Sequence, residues 1–185
     1  MNKLIVISSL FLALTTQLSG EEFKPAGILL GDSISNYKYN NYSDSEGVVE
    51  APNPIKDFNI YSVTLYQEKI TMVNMLSKNF EDSTGSSCVN RYNELKANLT
   101  SKYDTPSSVK EYTDPYYVEN PNRFNYGLKI GLNEFASAWF LEEAAILLMI
   151  GGSDHYSCFL SLGYKHSDLY AQKKEAETSG EVDNL

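Results

Sequence analysis

Apolar and polar positions alternate most cleanly over Tyr61, Val63 and Leu65, which are separated by Ser62 and Thr64. That is the period of a half-buried strand. After a turn at Gln67-Glu68-Lys69, Ile70 to Leu76 reads as a second strand, with Ile70, Met72, Asn74 and Leu76 on one face. The short connection favours a hairpin. A different period follows. Cys88, Tyr92, Leu95 and Leu99 recur at intervals of four, three and four, which places them on one helical stripe. Ser86 or Ser87 could cap this helix, and Pro106 prevents its continuation much beyond Tyr103.

Three further apolar stretches are Phe135 to Leu141, Ala144 to Ile150 and Cys158 to Tyr164. Phe135, Ser137, Trp139 and Leu141 share a face if extended, as do Cys158, Leu160, Leu162 and Tyr164, so a three-strand meander is expected. The alternative is one helix over Ala136 to Ile150 ended by Gly151-Gly152, because Ala, Leu and Glu favour helix. Ser167 is a candidate cap for a last helix through Glu177. Residues 36–54 and 104–134 are rich in Asn, Asp, Tyr and Pro, show no clean period, and read as irregular. The predicted order is α-β-β-α-β-β-β. The fold class is therefore α+β, an antiparallel sheet made of a hairpin and a meander, with helices packed on one face.

The first twenty residues change the picture of location. A polar start with Lys3, an apolar run from Leu4 to Leu14 and a polar stretch to Gly20 have the layout of a secretory signal peptide. The apolar run is shorter than the roughly 20 residues that span a bilayer, and no later segment is predicted to span one. The expected organisation is a signal peptide at 1–20, a single domain at 21–177 and a flexible tail at 178–185, in a periplasmic or secreted protein. Removing Lys3 with the leader leaves 14 basic against 24 acidic residues. That excess opposes nucleic acid and anionic membrane surfaces as partners. In an oxidising compartment the two cysteines, Cys88 and Cys158, most simply form one disulfide, the alternative being two buried thiols.

With that order in hand, three segments carry a resemblance. They are Gly27-x-x-Leu30-Gly31-Asp32-Ser33, Pro52-x-Pro54-x-x-x-Phe58-x-x-Tyr61-x-Val63, and Tyr92-x-x-Leu95-x-x-x-Leu99-x-x-Lys102-Tyr103-x-x-Pro106. Trp139, Ile146 to Ile150 and Leu162-x-Tyr164 follow in order. The chain resembles small, uncharacterised exported bacterial proteins of helix–hairpin–helix–meander organisation. The wider architecture is similar to β-lactamase-inhibitor-like and outer-membrane small-lipoprotein folds. Those proteins usually carry Gly after the Lys-Tyr pair, where Asp104 stands here. The resemblance implies architecture and compartment, and no catalytic residues.

Leu29 to Ile34 also resembles the first block of GDSL-type serine hydrolases, with Ser33 as nucleophile, and Ile150 to Asp154 resembles a second block with Ser153 in place of asparagine. A serine needs a base to act at neutral pH. The Asp-x-x-His that supplies one in that family is missing, since Gly152 stands three residues before His155 and Gly163 three before His166. The competing reading makes Gly31-Asp32-Ser33 a turn or helix start. Asp154, His155 and His166 are too few and too scattered for a zinc site, so no metal or cofactor is expected. Tyrosine is abundant, 14 of 185 residues. Tyr37, Tyr39 and Tyr42 lie among asparagines, and Tyr112, Tyr116 and Tyr117 beside prolines. Tyr with Asn and Ser is the chemistry of recognition loops, so these six are the candidate binding residues of a binding or accessory protein. Its partner would be a protein or an envelope component. A serine hydrolase using Ser33 is the alternative.

Overall fold

A computed structural model of the chain describes residues 22–43 and 45–182. The expected signal peptide lies outside them. The strands are β1 (Tyr39–Tyr42), β2 (Glu46–Val49), β3 (Phe58–Tyr66), β4 (Lys69–Ser77), β5 (Phe80–Glu81), β6 (Ser108–Tyr112), β7 (Glu134–Phe140), β8 (Ala144–Gly152) and β9 (Ser157–His166). The helices are α1 (Ser86–Tyr103), α2 (Pro115–Glu119), α3 (Phe124–Lys129) and α4 (Ser167–Val182). The strands form one antiparallel sheet in the order β1-β2-β3-β4-β9-β8-β7-β6, with β5 pairing to β9 beyond the end of β4. The α+β class and the hairpin, helix and meander stand as expected. The helix once possible over Ala136 to Ile150 is instead β7 and β8.

Gln67 and Glu68 turn the β3–β4 hairpin with φ of 50° and 63°, the twist that matches paired strands. The face expected of β4 is shifted. Thr64 pairs with Met72 and Leu65 with Ile70, so Thr71 is an extra residue in a bulge. Ile70 and Thr71 are both buried, and Val73, Met75 and Ser77 then point inward while Met72, Asn74 and Leu76 are half-exposed. The Thr71 hydroxyl donates to Thr64 O at 3.1 Å, which makes its burial affordable.

Helix α1 lays Cys88, Tyr92, Leu95, Leu99 and Tyr103 on the inner face of the sheet. Its start corrects the expected serine cap. Gly85 is the N-cap, at φ 68°, and the Asp82 carboxylate accepts from Ser87 N at 2.8 Å. That bond first, with those from Thr84, holds the Asp82 carboxyl below its usual range. At the other end Asp104 sits at φ 64°, a conformation that favours glycine. Asp104 O accepts from Trp139 Nε1 at 3.0 Å, which satisfies an indole that is 1% exposed. Tyr92 bonds the buried Ser137 hydroxyl at 2.6 Å, and burial pushes its own hydroxyl up to about 12. The Cys88 and Cys158 sulfurs are bonded, with Cα atoms 6.3 Å apart.

The opening helix is replaced by two short 3-10 turns, Pro25–Gly27 and Ile34–Asn36. Ala26, at φ 51°, is incompatible with a continuous helix there. This segment closes the same core as α1, with Phe23 stacked on Tyr103 at 6.0 Å. The expected placement of all helices on one face holds for α1. It fails for α4, which brings Tyr170 to the outer face beside Met72, Gly163 and Leu147. Helix α4 also runs to Val182, beyond its expected end at Glu177 and into the segment expected as tail. Among the described residues, no helix is long and apolar enough to cross a membrane.

Candidate functional site

The six candidate tyrosines fall into two separate groups. Tyr37, Tyr39 and Tyr42 lie in or beside β1, while Tyr112, Tyr116 and Tyr117 lie in β6 and α2. Strands β1 and β6 are the two ends of the sheet. Within the first group Tyr37 is half-buried and bonded into the loop. Its hydroxyl accepts from Leu29 N at 2.9 Å and donates to Asp32 Oδ2 at 3.0 Å. Tyr39 is exposed, and Tyr42 pairs with Gly47 in the ladder.

The second group sits in a compact module built by α2, α3 and the turn before β7. Asp114 starts α2 by accepting from Tyr116 N at 3.0 Å, with Pro115 in the first turn, a favoured N-terminal pattern. Asn133, 2% exposed, ties the pieces together. Its Oδ1 accepts from Asp114 N at 3.0 Å and its Nδ2 donates to Phe124 O at 2.9 Å. One residue apart on α2, Tyr117 is buried and Tyr116 exposed. Their rings meet edge to face at 5.1 Å, and Arg123 Nη1 donates to the Tyr116 hydroxyl at 2.8 Å. Desolvation, then neighbouring Tyr126 and Tyr116, raise the Tyr117 hydroxyl above its ordinary value.

The rings continue through residues that sequence reasoning missed. Tyr126 of α3 stacks flat on His155 from the β8–β9 loop, with centroids 4.4 Å apart and planes 4° from parallel. His155 neighbours Tyr156 at 6.3 Å. The Asp154 carboxylate shapes that loop by accepting from Tyr156 N at 2.7 Å and Ser157 N at 2.8 Å. These bonds, that of Tyr156 first, lower the Asp154 carboxyl. The result is two aromatic groups on one module, together called the aromatic ribbon: Tyr116–Tyr117 on α2, and Tyr126–His155–Tyr156 across α3 and the β8–β9 loop, with Tyr126 near enough to Tyr117 to act on it electrostatically. Tyr116 is 48% and Tyr156 69% exposed, and Val118, Ile130 and Leu132 are exposed on the same module. The available signal was the adjacent pair His155-Tyr156, separated by two residues from Gly151-Gly152. What it meets in α3 is a long-range matter.

The serine alternative is not assembled. Asp32 Oδ1 accepts from Ser33 N at 2.8 Å and Asn36 Nδ2 at 2.7 Å. Ser33 Oγ accepts from Ser35 N at 3.4 Å and bonds Ser35 Oγ at 2.9 Å. Gly31-Asp32-Ser33 is thus a turn leading into the 3-10 segment, and neither histidine bonds Ser33 among the described residues. Ser33 bridges to Lys69 at the start of β4. Ser153 instead accepts from Asn79, beyond the end of β4, at 3.2 Å. The two blocks therefore lie at opposite ends of a strand of nine residues, roughly 30 Å at the usual rise. Hydrolysis of short acyl esters is expected to be the same for Ser33→Ala as for the parent, read as initial rates on a chromogenic acetate ester. A loss of ten-fold or more in the variant would refute this.

His155 is occupied in the ribbon, and His166 closes the far end of β9. Among the described residues no three His, Cys, Asp or Glu side chains are grouped to hold a metal ion. Comparison with protein families, with curated proteins and with solved structures finds no match.

Proposed function

We propose that this chain is an exported binding or accessory protein, periplasmic or secreted, that grips a protein partner on the aromatic ribbon. The observation that carries the reading is the pair of ring groups on one module, Tyr116–Tyr117 and Tyr126–His155–Tyr156. It leaves two large aromatic faces in water while their neighbours are fixed by stacking and by Asp114, Asn133 and Asp154. Exposed aromatic and apolar side chains grouped this way mark an interaction site. Tyr and Arg are the residue types that anchor protein interfaces, and rigid anchors bind at low entropic cost. Export is supported by the leader pattern of the first twenty residues and is compatible with the disulfide. At the other end of the sheet the Tyr37 hydroxyl is spent on Leu29 N and Asp32, which makes that end the weaker half of the tyrosine reading.

The experiment places a photocrosslinking residue at position 116 or 156 in the producing cell, with position 39 as control, and pairs it with Tyr116→Ala/Tyr156→Ala. A discrete protein adduct from 116 and 156 is expected. The double variant should hold that protein at least about thirty-fold less well, since one lost anchor alone costs about 2 kcal/mol or more, with its melting temperature unchanged. An adduct only with lipid or glycan would replace the protein partner by an envelope component. A lowered melting temperature with binding intact would make the tyrosines structural.

A further inference from the structure

The outer face of the sheet carries a second feature, away from the ribbon's module. Strands β9, β8 and β7 present small residues there, Ala138, Ala145, Ser161 and Gly163, which leave a groove between larger neighbours. Leu147 is 43% and Phe140 67% exposed beside it, and Met72 stands on the other side. The cavity is about 490 Å³, within the range of small-molecule sites. It shares Met72 and Asn74 with a second, more polar depression of about 570 Å³ over β2 and β3.

Among the described residues lining the apolar part, Lys165 is the single charged one. Its Nζ lies over the Tyr170 ring at 4.4 Å, and no carboxylate pairs with it among the described residues. An ammonium on an aromatic face beside an apolar trough is complementary to one negative charge at the end of a hydrocarbon chain. The rest of the chain, with its acidic excess, and Glu46 lining the second depression, disfavour ligands of higher negative charge and anionic membrane surfaces.

We propose that this groove binds a free long-chain fatty acid, with the carboxylate on Lys165 and the chain lying over Gly163 between Leu147 and Met72. The proposal does not depend on the aromatic ribbon, and either can fail alone. Gly163 supplies the decisive variant. A Cβ there would meet only Asn74 Oδ1, at 3.8 Å, so Gly163→Leu fills the trough without crowding the fold. The test is displacement of a dansyl-labelled undecanoic acid by palmitate, followed by fluorescence on the full mature chain. Saturable one-to-one binding is expected. Lys165→Gln should weaken it ten-fold or more and Gly163→Leu should abolish it, with melting temperatures at or above that of the parent. Hexadecanol should compete at least ten-fold less well than palmitate. The proposal is overturned if palmitate gives no saturable displacement, if Gly163→Leu binds as the parent does, or if hexadecanol competes equally.

Discussion

Replacing both Cys88 and Cys158 with alanine is expected to lower the stability of the domain by about 4 kcal/mol. The two residues are fully buried and 70 apart in sequence. A bridge closing a loop of that length restricts the unfolded chain by about this amount in the chain-entropy model. The native contacts around it do not replace that restraint. Cys158 is held in the ladder by Gly152 and Phe80, whereas the start of α1 is held to the sheet by the bridge, the Asp82 cap and the Tyr92 hydrogen bond. At 2–4 °C per kcal/mol for a domain of this size, the melting temperature should fall on the order of 10 °C. Thermal denaturation of the double variant beside the parent, with and without reductant, measures it. Reductant should lower the parent toward the variant and leave the variant unchanged. A shift under about 1 kcal/mol would mean that the native state alone fixes α1, with the unfolded chain already compact.

What could be read from the sequence follows the reach of each interaction. The stripe of Cys88, Tyr92, Leu95 and Leu99 is local, and all four are buried as the spacing requires. So are Cys158, Leu160, Leu162 and Tyr164 on β9. The inner face of β4 was not readable, because the bulge at Thr71 is defined by pairing with β3 and leaves no mark on β4 itself. Strand β6 was lost for another reason. All five of its residues are exposed at the sheet edge, so no alternation is written into them. Lys110 and Glu111 are taken up by ion pairs with Glu134 and Lys96, a common treatment of an edge.

The binding surface was half legible for a related reason. Loop tyrosines signal contact area, but burial on a five-residue helix separates Tyr116 from Tyr117, and no period is measurable over so short a run. Tyr37 likewise looks like a recognition residue in sequence and turns out to brace Asp32. His155 entered the sequence reasoning only as a metal ligand or as the base for a serine. Its actual neighbour, Tyr126, is supplied by α3, and that meeting depends on how closely α3 approaches β8.

That approach is set by Gly152, and Gly152→Ala is expected to cost about 3 kcal/mol, at the upper end for overpacking. A Cβ at this position would meet Lys129 N at 2.5 Å and Lys129 Cα at 3.0 Å, with Asn125 O closer still. All three are backbone atoms of α3, so no rotamer change can relieve the contact. The helix must move away from β8, and Tyr126 moves with it off His155. Gly151→Ala is the matched control. Its Cβ would meet the far edge of the Phe159 ring, which can turn, so a smaller loss is expected. Hydrogen exchange separates a local from a global effect: residues 124–129 should lose protection in Gly152→Ala before the rest of the sheet does, and should keep it in Gly151→Ala. The crosslinking yield from position 156 should fall in the first variant and persist in the second, because Tyr126 backs His155 only while α3 sits against the strand. If Gly152→Ala melts with the parent and the α3 amides stay protected, close backbone approach is not what places the ribbon.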